Sequence, residues 1–222
     1  INGKGIKAND AIYATVGIKD QVKGTLDFNA NLNLRGIDYD TQIKTLKGNA
    51  DFLIKNGQLG DLGTFEHFLY AQNLNGINLF KSNLANTLRT ISPKNTGEFD
   101  YLKGNVSFSN GWMNLNPILS SGKNMSLYID GKMNLLTNDS NLELMGCVSN
   151  EIVSLLGPLN DMSISKLIGN VGKFGNTIST LIDSYNQKID ATYINKIPRL
   201  TPENPESKYF KVIINGNMLN PA

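Results

Sequence analysis

The sequence contains almost none of the residues on which metal sites and nucleophilic catalysis depend. Its 222 residues include one cysteine, Cys147, and one histidine, His67. A single cysteine excludes an internal disulfide, and a zinc site of the usual kind needs several Cys or His ligands. No catalytic motif surrounds either residue, and no glycine-rich phosphate loop follows a predicted strand. We therefore predict that the protein is not an enzyme, has no metal or cofactor, and uses both residues structurally.

Long apolar runs and an excess of one charge are also missing. No run approaches the roughly 20 apolar residues of a membrane-spanning helix, and no segment has the pattern of a signal peptide. The 21 Lys and Arg residues against 19 Asp and Glu give a net charge of +2, and the cations are scattered. Nucleic-acid binding usually needs a clustered basic stripe, so we predict no nucleic-acid partner. Because the chain begins at Ile1 without Met, we interpret it as a fragment of a longer protein whose targeting segment lies elsewhere.

What the sequence does contain is a repeated phrase. VKGTLDF at Val22–Phe28 returns as LKGNADF at Leu46–Phe52 and as LKGNVSF at Leu102–Phe108. Apolar residues at every second position predict a strand with one dry face and one wet face. The last two copies run into Asn56-Gly57 and Asn110-Gly111, and such pairs predict hairpin turns because both turn positions need positive φ.

The same alternation predicts strands elsewhere, whereas three-four spacing predicts helical insertions at about 62–91 and 150–185. The predicted strands are Val22–Arg35, Leu46–Lys55, Tyr101–Ser109, Trp112–Asn116, Met125–Leu135, Leu142–Val148 and Phe210–Gly216. The four from Tyr101 to Val148 predict a meander of antiparallel hairpins. Asp40–Thr45 is either unassigned or a helical turn, and three prolines predict a surface loop at Pro198–Ser207.

The apolar strand faces leave two interpretations open. In the first, they form an ordinary core that the helical segments cover. In the second, the sheet is open and its apolar face holds lipid. The pattern alone does not decide between them, although many long strands, few helices to cover them, a repeated unit and a plain aliphatic face favour lipid.

Three polar-face or turn residues also have two interpretations. Asp27 and Asp51 occupy equivalent places in the repeat, on the polar strand face, which favours solvated side chains over a catalytic pair. Trp112 follows an Asn-Gly turn, where an indole serves either as an interfacial anchor or as a packing residue.

The order of several phrases resembles one known family. A strand ends in Asn110-Gly111, a return strand begins at Trp112, and Ile129–Leu135 has the pattern apolar-x-Gly-x-apolar-x-Leu. The closing phrase at Phe210–Gly216 reads F-x-V-x-I-x-G, and LKGNADFLIKNGQLGDLG at Leu46–Gly63 precedes the first insertion. Together these phrases resemble the C-terminal region of the AsmA-like proteins of Gram-negative bacteria.

This resemblance implies a periplasmic protein, anchored in the inner membrane by an N-terminal helix outside this chain. It also implies a fold over residues 1–222 as a single C-terminal domain: mainly β with helical insertions (α+β). A long antiparallel, curved, open sheet would form an apolar groove, closed or flanked by short helices. Relatives are implicated in phospholipid movement between the two membranes and in outer-membrane integrity. The family has no agreed catalytic residues.

We therefore expect phospholipid acyl chains as the ligand, with envelope proteins as further possible partners and membrane association through other parts of the parent protein. The expected groove-lining residues are Leu26, Phe28, Leu32, Leu34, Phe52, Ile54, Leu127, Ile129, Met133, Leu135, Leu142, Leu144, Val212 and Ile214. The alternative is a non-catalytic structural or protein-interaction domain of the cell envelope.

Overall fold

A computed structural model describes residues 1–16, 22–59, 98–137, 139–150, 178–183, 191–203 and 207–217. The predicted helical insertion at 62–91 and His67 lie outside the described residues, as does most of the insertion at 150–185. The described elements are β1 (Asn2–Lys7), α1 (Ala8–Val16), β2 (Val22–Asn33), α2 (Tyr39–Thr45), β3 (Lys47–Leu59), β4 (Glu98–Ser109), β5 (Trp112–Ser121), β6 (Met125–Asn134), β7 (Asp139–Val148), β8 (Ile178–Asp183), α3 (Ala191–Ile194) and β9 (Lys208–Asn217).

These strands form a single open antiparallel sheet, and the described part of the chain has few helices. The spatial order of its nine described strands is β1-β2-β3-β4-β5-β6-β7-β9-β8. The predictions of a mainly β fold and of a meander from β4 to β7 are confirmed. The helical prediction is wrong at Ile178–Asp183, which pair with β9 as an edge strand. The spacing of Ile178, Leu181 and Ile182 in this segment fits a helix, but pairing with β9 determines its structure.

The two Asn-Gly pairs have different structures. Asn110 and Gly111 have φ values of 51° and 80° and form the predicted turn between β4 and β5. The prediction of a second turn at Asn56-Gly57 is wrong, because β3 continues through this pair to Leu59. The positive φ of Asn56, 47°, accompanies a bulge opposite Gly24, where the β2–β3 register shifts. Both Asn-Gly pairs supply a residue with positive φ, but at Asn56 this conformation forms part of a bulge and not of a turn.

The glycine of the repeated phrase is required where strands approach closely. Gly48 has φ 131°, and a Cβ added there would lie 1.9 Å from the carbonyl oxygen of Asn31 on β2. No side chain fits at that distance. In this copy of the repeat, the glycine therefore allows two neighbouring backbones to come into contact.

Two regions at the start of the chain differ from expectation. β1 and α1 were not predicted at all, and β2 ends at Asn33, so Leu34 and Arg35 lie beyond it. Residues 39–45, left open by the sequence, form α2, whose N-cap is Asp38. The Asp38 carboxylate accepts a hydrogen bond from the Thr41 backbone N–H at 2.9 Å, and this bond lowers the pKa of Asp38. An Asx cap of this kind satisfies one of the free N–H groups of the first turn.

Candidate functional site: the apolar face of the sheet

The strand register assembles one continuous face from the alternating apolar residues, which we call the apolar face. Four rows of cross-strand partners run over it. The rows are Ile6, Leu26, Ile54, Leu102, Ser120, Leu127, Gly146, Phe210; Gly3, Phe28, Phe52, Gly104, Ile118, Ile129, Leu144, Val212; Ala30, Ala50, Val106, Leu115, Gly131, Leu142, Ile214; and Leu32, Gly48, Phe108, Met113, Met133, Ser140, Gly216. Partners in register lie on the same side of a sheet, so these rows are contiguous.

Twelve of the fourteen predicted lining residues occupy these rows. The other two lie outside strands: Leu34 follows β2 and is 50% exposed, and Leu135 lies in the turn after β6. For Val212 and Ile214 the register fixes only the backbone position on β9.

Burial differs between members of the apolar face. Ile54 and Met133 are buried, whereas Leu32 is 42% exposed. Between these extremes, seven of the predicted lining residues are half-buried. They are Leu26, Phe28, Phe52, Leu127, Ile129, Leu142 and Leu144. The middle of the face is therefore neither sealed like a core nor freely exposed.

One end of the apolar face is covered by α1. Ala8 is fully buried and forms a cluster with Val22, Ile54 and Phe99. Partly buried residues pack around it, namely Ile12, Leu26, Phe52 and Leu102. We call these residues the α1 cluster. Three predicted lining residues, Leu26, Phe52 and Ile54, thus already contact protein.

A second cluster on the opposite, polar face was missed by the sequence analysis. It contains Tyr128, Met145, Cys147, Ile197 and Leu200, with Leu119, Tyr193 and Tyr209 packed against it. We call residues 191–203 the strap and these residues the strap cluster. The prediction of a surface loop at Pro198–Ser207 is wrong at Leu200, which is buried because the strap folds onto the sheet. The sequence does contain a sign of this cluster. In SLYI of β6 and LMGCV of β7, neighbouring residues are apolar, so both faces of each strand carry apolar side chains.

Polar contacts fix the strap on the sheet. The ammonium of Lys211 pairs with the Glu143 carboxylate, and its side chain is only 8% exposed. The same ammonium lies 3.8 Å from the centroid of the Tyr193 ring on the strap. The Ser121 hydroxyl donates to the Arg199 carbonyl at 2.7 Å, and the Thr201 N–H donates to the Gly122 carbonyl at 3.2 Å.

Burial in the strap cluster raises the pKa values of the Cys147 thiol and the Tyr128 hydroxyl and so favours their neutral forms. Burial raises the pKa of the Cys147 thiol, so it stays protonated at neutral pH and packs as a small apolar residue. Burial, together with a hydrogen bond from its hydroxyl to Asp130 at 2.8 Å, raises the pKa of Tyr128 to about 12. These features suit packing better than nucleophilic or acid–base chemistry.

The polar face of β2 to β5 carries hydrogen-bonded polar side chains. Asp51 is exposed and accepts a hydrogen bond from the Asn105 amide at 2.7 Å. Asp27 is half-buried and accepts from the Gly5 N–H at 2.9 Å, and this bond, more than nearby Lys55, lowers its pKa. The two carboxylates therefore have separate structural partners.

Trp112 also lies on the polar face. The Lys132 ammonium sits 4.9 Å from the ring centroid of its indole. A cation over the ring is an ordinary surface contact, worth about 0.5–1 kcal/mol where exposed. The packing interpretation of Trp112 therefore has a partner in the structure.

Comparison of the chain with protein-family models, with curated proteins and with solved structures gives no match. Among the described residues, no helix has both the length and the apolar character needed to span a membrane. The described ranges also hold no group of three or more His, Cys, Asp or Glu residues arranged to bind a metal. The apolar face is therefore the candidate functional site of the described chain.

Proposed function

We propose that the protein is a lipid-binding module whose apolar face binds the acyl chains of phospholipids. The single observation that carries this proposal is the four-row apolar face, most of whose middle residues are only half-buried. Ile118, Ile129 and Leu144 lie side by side across β5, β6 and β7. These branched aliphatic side chains match methylene groups and carry no polar atom that could recognise a specific head group.

The energetics support weakly specific binding of long chains. Burying acyl carbon contributes roughly 0.8 kcal/mol per CH₂ group, so binding grows with the length of chain that is buried. In the proposed arrangement the apolar face forms a groove in the curved sheet, and head groups remain in water.

The resemblance to the AsmA-like proteins supplies the proposed setting. In that setting the module belongs to a periplasmic protein anchored in the inner membrane by a segment outside this chain. It contributes to phospholipid transport between the inner and outer membranes and to outer-membrane integrity. The phrases around Asn110-Gly111, Ile129–Leu135 and Phe210–Gly216 are the support for this step.

Photo-crosslinking in cells tests the proposal. A photoreactive residue at Phe28, Ile129 or Leu144 should capture phospholipid, whereas one at the exposed polar-face position Asn141 should not. Native mass spectrometry of the purified protein should show co-purified phospholipid. Protein that is consistently free of lipid, and that also fails to take up a fluorescent lipid, would contradict the proposal.

A second candidate is a structural or protein-interaction module, and one observation favours it. Leu26, Phe52 and Ile54 already belong to one apolar cluster with Ala8 and Ile12 of α1, as they would in an ordinary core. In this reading an exposed sheet edge recruits the partner. The crosslinking experiment separates the two, because this module would yield protein adducts at the edge strands and no lipid adducts at Ile129.

A further inference from the structure

We propose that helix α1 is a displaceable lid over one end of the apolar face, an inference that rests on the proposed function. Leu26, Phe52 and Ile54 are predicted to contact lipid and also belong to the α1 cluster. An acyl chain and α1 cannot occupy the same surface at once. A lipid that extends over these three residues must therefore move α1 away.

Most of the described members of this cluster come from the sheet. Among the α1 residues whose side chains the structure describes, Ala8 and the half-buried Ile12 are members, whereas six residues come from β2, β3 and β4. The next residue along α1, Tyr13, is 48% exposed. An acyl chain that replaces Ala8 and Ile12 keeps all of the sheet side of the cluster, and it supplies more methylene groups than these two side chains contribute.

The helix also depends on its contact with the sheet. It has nine residues, and isolated helices shorter than about 12–15 residues are marginal in water. It follows β1, an outer strand of the described sheet whose pairing with β2 is interrupted by a bulge between Gly3 and Ile6. A ligand that takes the place of α1 on the sheet thus removes the contact that keeps α1 ordered.

A lid and a fixed part of the core predict opposite effects of the same substitution. A lid lowers apparent affinity by the fraction of molecules in which it is closed, so weakening it tightens binding. Weakening a fixed wall of the site loosens binding. Ile12 is the residue to change, because it belongs to α1 and touches the shared surface without being part of the sheet.

The experiment is titration of palmitate into the 222-residue chain and into Ile12→Ser, Ile12→Val and Tyr13→Ser. We expect Ile12→Ser to bind roughly five-fold more tightly than the unmodified chain, with Ile12→Val between them. Tyr13→Ser is the matched control on the exposed side of α1 and should leave the affinity unchanged. Palmitate should also speed amide hydrogen exchange in Ala8–Val16. The buried Cys147 reports folding of the far cluster through its resistance to thiol reagents.

The outcomes separate the lid from the proposed function. Weaker palmitate binding by Ile12→Ser, or unchanged exchange in α1 when palmitate binds, overturns the lid and leaves lipid binding intact. Unfolding of both Ile12 variants, revealed by a reactive Cys147, also overturns the lid, since α1 would then be an obligatory part of the core. Palmitate binding by none of the four proteins removes the proposed function and the lid with it, whereas binding by the Ile12 variants alone supports both.

Discussion

The α1 cluster and the strap cluster lie on opposite faces of one sheet and are covered in different ways. The α1 cluster is built from apolar side chains, with Ala8 and Ile12 as the cover. Beside the strap cluster lies an ion pair between the buried Lys211 and the partly exposed Glu143, and Lys211 also contacts the ring of Tyr193. Apolar contacts stabilise without fixing one partner, whereas a desolvated charge tolerates few alternative arrangements. The comparison suggests an exchangeable cover on the apolar face and a fixed cover on the polar face.

The largest effect on lipid binding should come from a charge placed in the middle of the apolar face. We expect Ile129→Asp to abolish lipid binding, because a desolvated carboxylate against acyl chains is very costly. Leu144→Asp, its cross-strand partner, should behave alike. Ile129→Leu should be nearly silent, as should Lys132→Asp on the polar face. Lipid uptake and circular dichroism measured together are the check.

Two results of that experiment would change the interpretation. If Ile129→Asp unfolds the domain, the apolar face is an ordinary core and the structural module is favoured. If the variant stays folded with intact lipid binding and full function, the apolar face does not carry lipid.

The next effect tests how much the Lys211–Glu143 ion pair on the strap-covered face of the sheet stabilises the fold. Lys211→Met should lower the free energy of unfolding by about 2–3 kcal/mol, because it leaves Glu143 without its cation. Breaking a fully buried pair costs roughly 3–5 kcal/mol, and we expect less because Glu143 is 27% exposed. Urea denaturation measures the loss. The double variant Lys211→Met, Glu143→Gln should recover part of it, and a double variant no more stable than Lys211→Met would show that the charge itself is not the cause.

The fold was predictable where it depends on neighbours in sequence. The repeat and its alternation predicted β2, β3 and β4, and the register places Phe28 beside Phe52 at equivalent positions of two copies of the repeat. The turn at Asn110-Gly111 was predictable for the same reason. The dipeptide failed at Asn56-Gly57 because positive φ is a requirement of bulges as well as of turns.

The strap cluster was not predictable, because it joins residues that are far apart in sequence. Tyr128 and Met145 lie more than 50 residues before Leu200, and alternation alone assigns both to the wet face. Only the position of the strap makes that face dry. The insertion of β9 between β7 and β8 is a similar long-range choice that local patterns do not encode.

A smaller effect compares truncation in the two clusters directly. Met145→Ala in the strap cluster should cost about 2–4 kcal/mol of unfolding free energy, since Met145 is 1% exposed and leaves a cavity. Ile12→Ala in the α1 cluster should cost about 1 kcal/mol, because Ile12 is half-buried and belongs to a cover that can move. Urea denaturation of the two variants gives both values. Equal costs would argue that α1 is as integral to the fold as the strap.

The smallest effect is the loss of stability at low pH at the end of the sheet that carries α1. Asp27 accepts a hydrogen bond from Gly5 of β1, and its pKa is lowered below the ordinary value of 3.8. A group whose folded pKa is depressed stabilises the fold above its unfolded pKa, and this contribution is lost as the pH falls through the folded pKa. Below about pH 4, the unmodified chain should therefore lose a small part of its protection from amide exchange in β1 and α1. Asp27→Asn should not show this pH-dependent loss. Amide exchange in β1 and α1 between pH 6 and pH 3 measures it, with the strap as internal reference. Acid loosening of the strap and β1 to the same extent would show that the two ends of the sheet do not respond separately.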